Sequence, residues 1–214
     1  MKKGSIQYLM RSTYNLYISE LSLMHLNQKD VATLLQSHQP ASEKEKKDTK
    51  RTIEFVQSTS RFWQRNTLPG HLTASAWVVD MTYCHAVLVH HKKLNQWFQP
   101  GGHIENDSDI LAAAKREAIE ETGIKQLKVA STHIFDIDVH LIPEKKSMPQ
   151  HWHFDIRFAF LVDVAIQLQV SDESHDVRWV LLTDLTKLNN DASITRMVEK
   201  TQRLSHINDS LDKK

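Results

Sequence analysis

The sequence predicts an α/β fold, in which a mixed β-sheet is held between helices as an α/β/α sandwich behind a helical extension. Three observations lead there. Helical periodicity and a capping signal occupy the first 66 of the 214 residues, and strand-like apolar segments follow from His71. Only two later stretches have helical character, one central and one near the end. The expected division is a helical extension over residues 1–66 and a sheet domain over 67–214.

Within the extension, Val31, Leu34 and Leu35 share one helical face, with Leu26 a turn earlier. After Pro40, Ser42-Glu43-Lys44-Glu45 has the capping-box pattern and opens a second helix that would turn Ile53 and Val56 inward. Neither helix is long enough to be stable alone, so both should pack on something. Residues 1–23 give no clear element, and Met24 is an alternative start. Strands rich in Val and Ala are expected at 72–80 and 84–90, and a shorter one at 95–99 runs into Pro100-Gly101-Gly102. Following the central helix, residues 128–141 read as one partly alternating strand, with Ile134, Ile137, Val139 and Leu141 apolar. A polar loop over 143–150 precedes a strand at 152–164, with 167–170 as its extension or a separate piece. A short strand at 177–182 and a helix at 192–204 close the chain.

Composition narrows the class. Hydrophobic residues at 40% and charged residues at 25% are those of an ordinary globular protein. No apolar run reaches the length of a membrane span, so no membrane partner is expected. Lys2-Lys3 is not followed by an apolar h-region, and a secretory signal is not expected. The single cysteine, Cys84, excludes an internal disulfide and fits a reducing, cytoplasmic location; it reads as an inert strand residue. Residues 1–65 hold 11 Lys/Arg against 6 Asp/Glu, and residues 66–214 hold 16 against 20. A basic extension of this kind can attract phosphates or RNA, but the plainer expectation is that the two parts pair with one another or face water. No dense basic run with interleaved aromatics marks a nucleic-acid site.

The most informative stretch is Arg116-Glu117-Ala118-Ile119-Glu120-Glu121-Thr122-Gly123. Its carboxylates at 117, 120 and 121 fall at i, i+3 and i+4, on one arc of a helix. Like charges so placed repel, and a helix selected only for stability would avoid them. A divalent cation removes the conflict, and an oxygen-only ligand set suits magnesium or manganese. In front, Pro100-Gly101-Gly102 brings backbone close to an ion or phosphate, and behind, Gly123 stands where the helix would stop.

Residues 102–124 resemble the Nudix box, G-x5-E-x7-R-E-U-x-E-E-x-G-U with U apolar. Gly102, Arg116, Glu117, Ala118, Glu120, Glu121, Gly123 and Ile124 fall on their positions, and Ser108 replaces the first glutamate. The resemblance covers about residues 70 to 205. It implies a Nudix-type α/β/α sandwich and metal-dependent hydrolysis of a pyrophosphate bond in a nucleoside diphosphate derivative. The expected cofactor is Mg2+ or Mn2+, held by Glu117, Glu120, Glu121 and the Gly101 carbonyl. Arg116 is expected to orient a carboxylate, and Asp107 or Asp109 to brace the loop in place of the missing glutamate. Ser108 or Asp107 is the expected N-cap. A binding-only protein of the same fold is the alternative that Ser108 permits.

Further candidates lie outside the box. Glu173, with Asp176 second, precedes the last strand, where the family often supplies another carboxylate to the metals; Glu173 is the candidate base. Histidines number 13, including His151-x-His153 and His90-His91, yet no structural zinc spacing is present, and they read as scattered polar residues. On the strand from Trp152, alternation places His153, Asp155 and Arg157 on one face, opposite Phe154, Ile156 and Phe158. That row, with Gly102 and His103, is the expected substrate contact, and Trp63 and Arg65 are the alternative. The partners expected are a small nucleotide derivative and, left open, a second copy of the chain.

Overall fold

The computed structural model describes residues 26–145 and 148–211, with side chains as far as Leu204. The uncertain start and residues 1–23 lie outside the described residues. Thirteen elements are named here in chain order.

The sheet is organised by its two longest strands, β1 (Gly70–Asp80) and β7 (His151–Val162), which pair in parallel from Gly70↔Trp152 to Asp80↔Val162. The other strands are β2 (His85–His91), β3 (Gln96–Phe98), β4 (Gly101–His103), β5 (Lys128–Val129), β6 (Asp136–Ile142) and β8 (Ser174–Leu181). β2 joins β1 antiparallel and carries β3 and β8, while β4 pairs with β1, and β5 and β6 pair with β7. This is an eight-stranded mixed sheet.

Strand alternation sorts side chains into two layers. Leu72, Ala74, Ala76 and Val78 of β1 face the larger core with Ile110, Ala113, Ala114 and Ala118 of α3 (Ile110–Thr122). Trp77 and Val79 face the other way, against Ile194, Met197 and Val198 of α5 (Ala192–Leu211), with Leu185 of the short α4 (Leu185–Leu188) beside them. The Trp77 indole N–H donates to Thr201 Oγ1 at 2.8 Å, satisfying a buried polar atom. Helices on both faces make the α/β/α sandwich.

α1 (Gln28–Ser37) and α2 (Glu43–Ser58) form as their capping signals and apolar spacing suggest. Ser42 Oγ accepts the Glu45 amide at 3.2 Å, and Glu45 returns a carboxylate oxygen to the Ala41 amide at 2.6 Å. Both helices lose their apolar faces to the main core: Leu35 and Val56 are fully buried, and Phe55 stacks on Phe154 at 4.2 Å. Each such side chain contributes roughly 1.5–3 kcal/mol, which is why short helices persist here.

The sequence reading and the structure differ in five places. The strand expected over 128–141 is two strands, because Ser131 Oγ accepts the His133 amide at 3.0 Å and turns the chain between them. Residues 167–170 form no strand; the Gln169 amide donates to the Thr122 carbonyl at 2.8 Å and covers the end of α3. Cys84 is an exposed turn residue whose amide bonds Asp80 at 2.8 Å, not a strand residue. α4 was not foreseen. The α3 N-cap is Asp109, which accepts the Ala112 amide at 2.7 Å, in place of Ser108 or Asp107.

Candidate active site

Small residues bring α3 onto the sheet. Ala113, Ala114 and Ala118 are fully buried against Ala74 and Ala76 of β1, so the helix can approach closely. The carboxylates of its last turns then meet β4. A Cβ on Gly102 would lie 2.6 Å from Glu117 Oε1, and one on Gly101 would lie 2.2 Å from Ser75 Oγ. Gly102 thus leaves room for the carboxylate, and Gly101 for the neighbouring strand. Gly123 ends the helix at φ 74, a left-handed C-cap whose amide donates to the Ile119 carbonyl at 2.9 Å.

Two carboxylates, Glu117 and Glu121, reach this contact, and Glu120 stands beside them on Arg116. Glu121 accepts the Gly101 amide at 2.9 Å. Burial, with Glu117, Glu173 and Glu120 nearby, pushes its carboxyl up to about 7 against the pull of that amide. Glu117 is also raised, first by burial and then by Glu120 and Glu105, although Arg116 opposes the shift. Glu120 stands at the rim with its side chain 57% exposed. A set of oxygen donors that raise one another's proton affinity suits a divalent cation.

Arg116 ties the set together. Its Nη1 donates to Glu117 and to Glu120, both at 2.9 Å, and Nη2 donates to the His103 carbonyl at 2.9 Å. The guanidinium also grips Asp107 with two nitrogens, Nε at 3.0 Å and Nη2 at 3.0 Å. That bond is the main reason its pKa is raised. Asp107 therefore makes the contact for which either flanking aspartate was a candidate, while Asp109 is spent on the helix cap. Ser108 is exposed and donates only to Asp109, at 3.1 Å.

Of the two carboxylates expected ahead of the last strand, only Glu173 precedes β8, Asp176 lying within it; Glu173 is exposed and its charge acts on Glu121. Asp176 is held by Arg178, whose Nε donates to it at 3.0 Å. Glu105, which the sequence reading passed over, adds its charge to Glu117. Its place three residues after Gly102 was the available signal.

A model of the NUDIX domain matches residues 69–200, more than half of the chain. The chain belongs to the Nudix family. Curated relatives include Phosphatase NudJ of Shigella boydii serotype 4, 29% identical over 97 residues, or 44% of this chain and 57% of that one. Phosphatase NudJ of Escherichia coli K12 is 28% identical over the same span. The chain thus spans just over half the length of these relatives. Among solved structures, a binary complex of the Caenorhabditis elegans Ap4A hydrolase superposes with a TM-score of 0.51 at 20% identity, over 62% of this chain and 96% of that one. A Nudix-family hydrolase from Clostridium perfringens gives 0.47 at 24% identity, over 64% and 99%. The likeness to the first is one of fold.

The Nudix sheet corrects the expected substrate row. Asp155 and Arg157 do share a face of β7, but each is only 3% exposed. Arg157 Nε donates to Asp155 at 2.7 Å and Nη1 to Asp136 at 3.2 Å, while Thr73 and Ser75 donate to Asp155 at 2.9 and 2.8 Å. Arg196 of α5 holds Asp136 at 2.7 Å, and Lys200 bonds Asp136 at 2.8 Å and also Glu45. Burial would raise Glu45, yet His38, Lys200 and the Ala41 amide hold it down at about 2. This row is closed by charge pairing and leaves no arm for a ligand. His153 turns toward His71 and His151.

Open space lies instead between the extension and β4. A cleft of about 550 Å³ is lined by Trp63, Arg65, Asn66, His103, Asn106 and neighbouring groups. Of the substrate-contact candidates on the sheet outside the glycines, His103 alone lines it.

Proposed function

We propose that this Nudix protein hydrolyses a pyrophosphate bond in a nucleoside diphosphate derivative, using magnesium or manganese. The observation that carries this reading is the meeting of Glu117 and Glu121 with the glycine backbone of β4, both raised in proton affinity, while Arg116 holds Glu120 beside Glu117. Glu117, Glu120, Glu121 and the Gly101 carbonyl would hold the cation. When bound, it would neutralise phosphate oxygens and lower the pKa of a coordinated water.

The chain's own groups supply the rest. Arg116 fixes the orientation of Glu117 and Glu120 and, through the His103 carbonyl, the position of β4. Asp107 fixes Arg116. Glu173, exposed at the surface and close enough for its charge to act on Glu121, would accept the proton of the attacking water. The cleft beside Trp63, Arg65 and His103 would take the non-phosphate moiety, with Arg65 available to a phosphate or ribose oxygen. The Asp107–Arg116 grip supports turnover over the binding-only alternative, since the brace that Ser108 lacks has another source.

The test is product release from a panel of nucleoside diphosphate derivatives with magnesium or manganese, comparing wild type with Glu120→Gln. Removing one charge from an exposed residue should leave the fold intact and lower the rate more than about 100-fold. Equal turnover by the variant would remove Glu120 from the chemistry.

A further inference from the structure

Five histidines from four strands meet on the sheet face opposite α3. β-pairing sets His71 beside His153 and His153 beside His140, while β4 brings in His103 and the start of β7 brings His151. Ring centroids of His71 lie 5.0 Å from His103, 5.1 Å from His151 and 4.9 Å from His153. One ring nitrogen each from His71, His151 and His153 lie within 4.8 Å of one another.

Hydrogen bonding leaves this group unsatisfied. His71 is fully buried, and neither ring nitrogen has a partner of normal geometry; the Thr67 backbone only partly offsets its lowered proton affinity. A buried imidazole without partners destabilises the fold unless something takes its lone pair. Its neighbours cannot relieve it by charge, because Arg65 acts on it unfavourably and the other nearby groups are imidazoles. His140 is different, since its Nδ1 bonds Asp138 at 3.2 Å.

The tautomers favour a ligand in place of a proton. His151 Nδ1 lies 2.8 Å from the Pro149 carbonyl, so Nδ1 carries the hydrogen and Nε2 presents a lone pair. That Nε2 faces His153 Nε2 at 3.3 Å. A tetrahedral metal with metal–nitrogen bonds of about 2.0–2.1 Å has ligand edges of about 3.3–3.4 Å. Burial, and then repulsion from a neighbouring ring, hold His71 at about 4 and His153 at about 2, so both present neutral nitrogens to an ion.

We propose that His71, His151 and His153 form a metal site for zinc, or a similar ion that prefers imidazole, with His103 placed to supply the fourth ligand. Imidazole selects such ions where the carboxylates of α3 select magnesium or manganese. The two sites are chemically separate yet share β4: Gly102 opposes Glu117, while the next residue, His103, joins the histidines. This inference stands on its own observations and does not need the proposed hydrolysis.

The experiment is metal content by mass spectrometry after dialysis of the full chain against zinc in excess magnesium, with cobalt replacing zinc for visible spectroscopy. The expected result is one zinc per chain and the intense visible bands of tetrahedral cobalt. Zinc should be lost in His153→Gln and His151→Gln and kept in Glu120→Gln and Glu121→Gln. His153 is only partly buried, so its variant should fold, and circular dichroism checks this. The cobalt spectrum of the wild type needs no variant at all. No zinc retained against magnesium, an octahedral cobalt spectrum, or zinc lost with the glutamates and kept without the histidines would each overturn the site.

Discussion

Removing the charge of Glu121 should stabilise the metal-free protein at alkaline pH, the reverse of the usual cost of mutating a buried polar residue. Its carboxyl is raised from 4.5 to about 7, principally by burial and then by Glu117, Glu173 and Glu120. A carboxyl raised on folding contributes stability that is fully present below about 4.5 and lost as pH rises through about 7. At about 1.4 kcal/mol per unit, the ionised form costs the folded state about 3 kcal/mol. Glutamine imitates the protonated acid and can still accept the Gly101 amide. The buried histidines have lowered values and so lose stability in the opposite direction, as pH falls below 6.5. They titrate alike in both proteins, and their effect cancels in the difference. Urea denaturation in chelator should find wild type and Glu121→Gln equal near pH 4.5 and the variant ahead by about 3 kcal/mol at pH 8. Saturating magnesium should reverse the order, because a bound cation favours the carboxylate and its binding releases a proton. A stability difference that stays flat from pH 5 to 8 would refute the reasoning.

Two other predictions concern the supports of the site. Asp107→Ala should lower turnover or magnesium affinity roughly 10- to 100-fold by freeing Arg116, whereas Ser108→Glu should be close to neutral, since Asp107 already occupies the guanidinium. Steady-state kinetics at varied magnesium separates the two, and a damaging Ser108→Glu beside a harmless Asp107→Ala would reverse the assignment. Arg157→Ala should cost about 3–5 kcal/mol of stability by leaving the buried Asp155 without its cation, Asp136 keeping Arg196 and Lys200, with KM unchanged per folded molecule. A stable variant with a raised KM would return Arg157 to the substrate.

The carboxylate site could be read from the sequence because its geometry is local. Glu117, Glu120 and Glu121 sit within two turns of one helix, so residue spacing alone sets their common face. The brace was half legible: Asp107 and Asp109 flank Ser108 equally in sequence, and only the helix start decides which caps and which reaches Arg116. The buried row on β7 was legible in its alternation and missed in its cover. Strand period two gives the face shared by Asp155 and Arg157, but the groups that neutralise it come from β6, α2 and α5. The histidine group was not legible at all, because it depends on a parallel register between residues 71 and 153 and on the placing of β4.

One face of β7 shows why its two ends call for different chemistry. Reading across β1, β7 and β6, pairing gives successive rows of His71, His153 and His140; Thr73, Asp155 and Asp138; and Ser75, Arg157 and Asp136. The last two rows bring fixed charges into the interior, and Arg196, Lys44 and Lys200 reach them. Opposite charges then settle the desolvation within the protein. In the first row burial holds His71 and His153 neutral, and protonating one ring would only repel the other. His140 leaves this row to bond Asp138 in the next, while His71 keeps two buried nitrogens without partners. Neutral imidazoles pointing at one another have two ways to be satisfied, a chain of ring-to-ring hydrogen bonds or a shared cation. A chain can use the 3.3 Å contact between His151 and His153 but leaves His71 out of it. A shared cation takes one nitrogen from each ring, and the parallel register of β1 on β7 brings His71 to His151 and His153 for it.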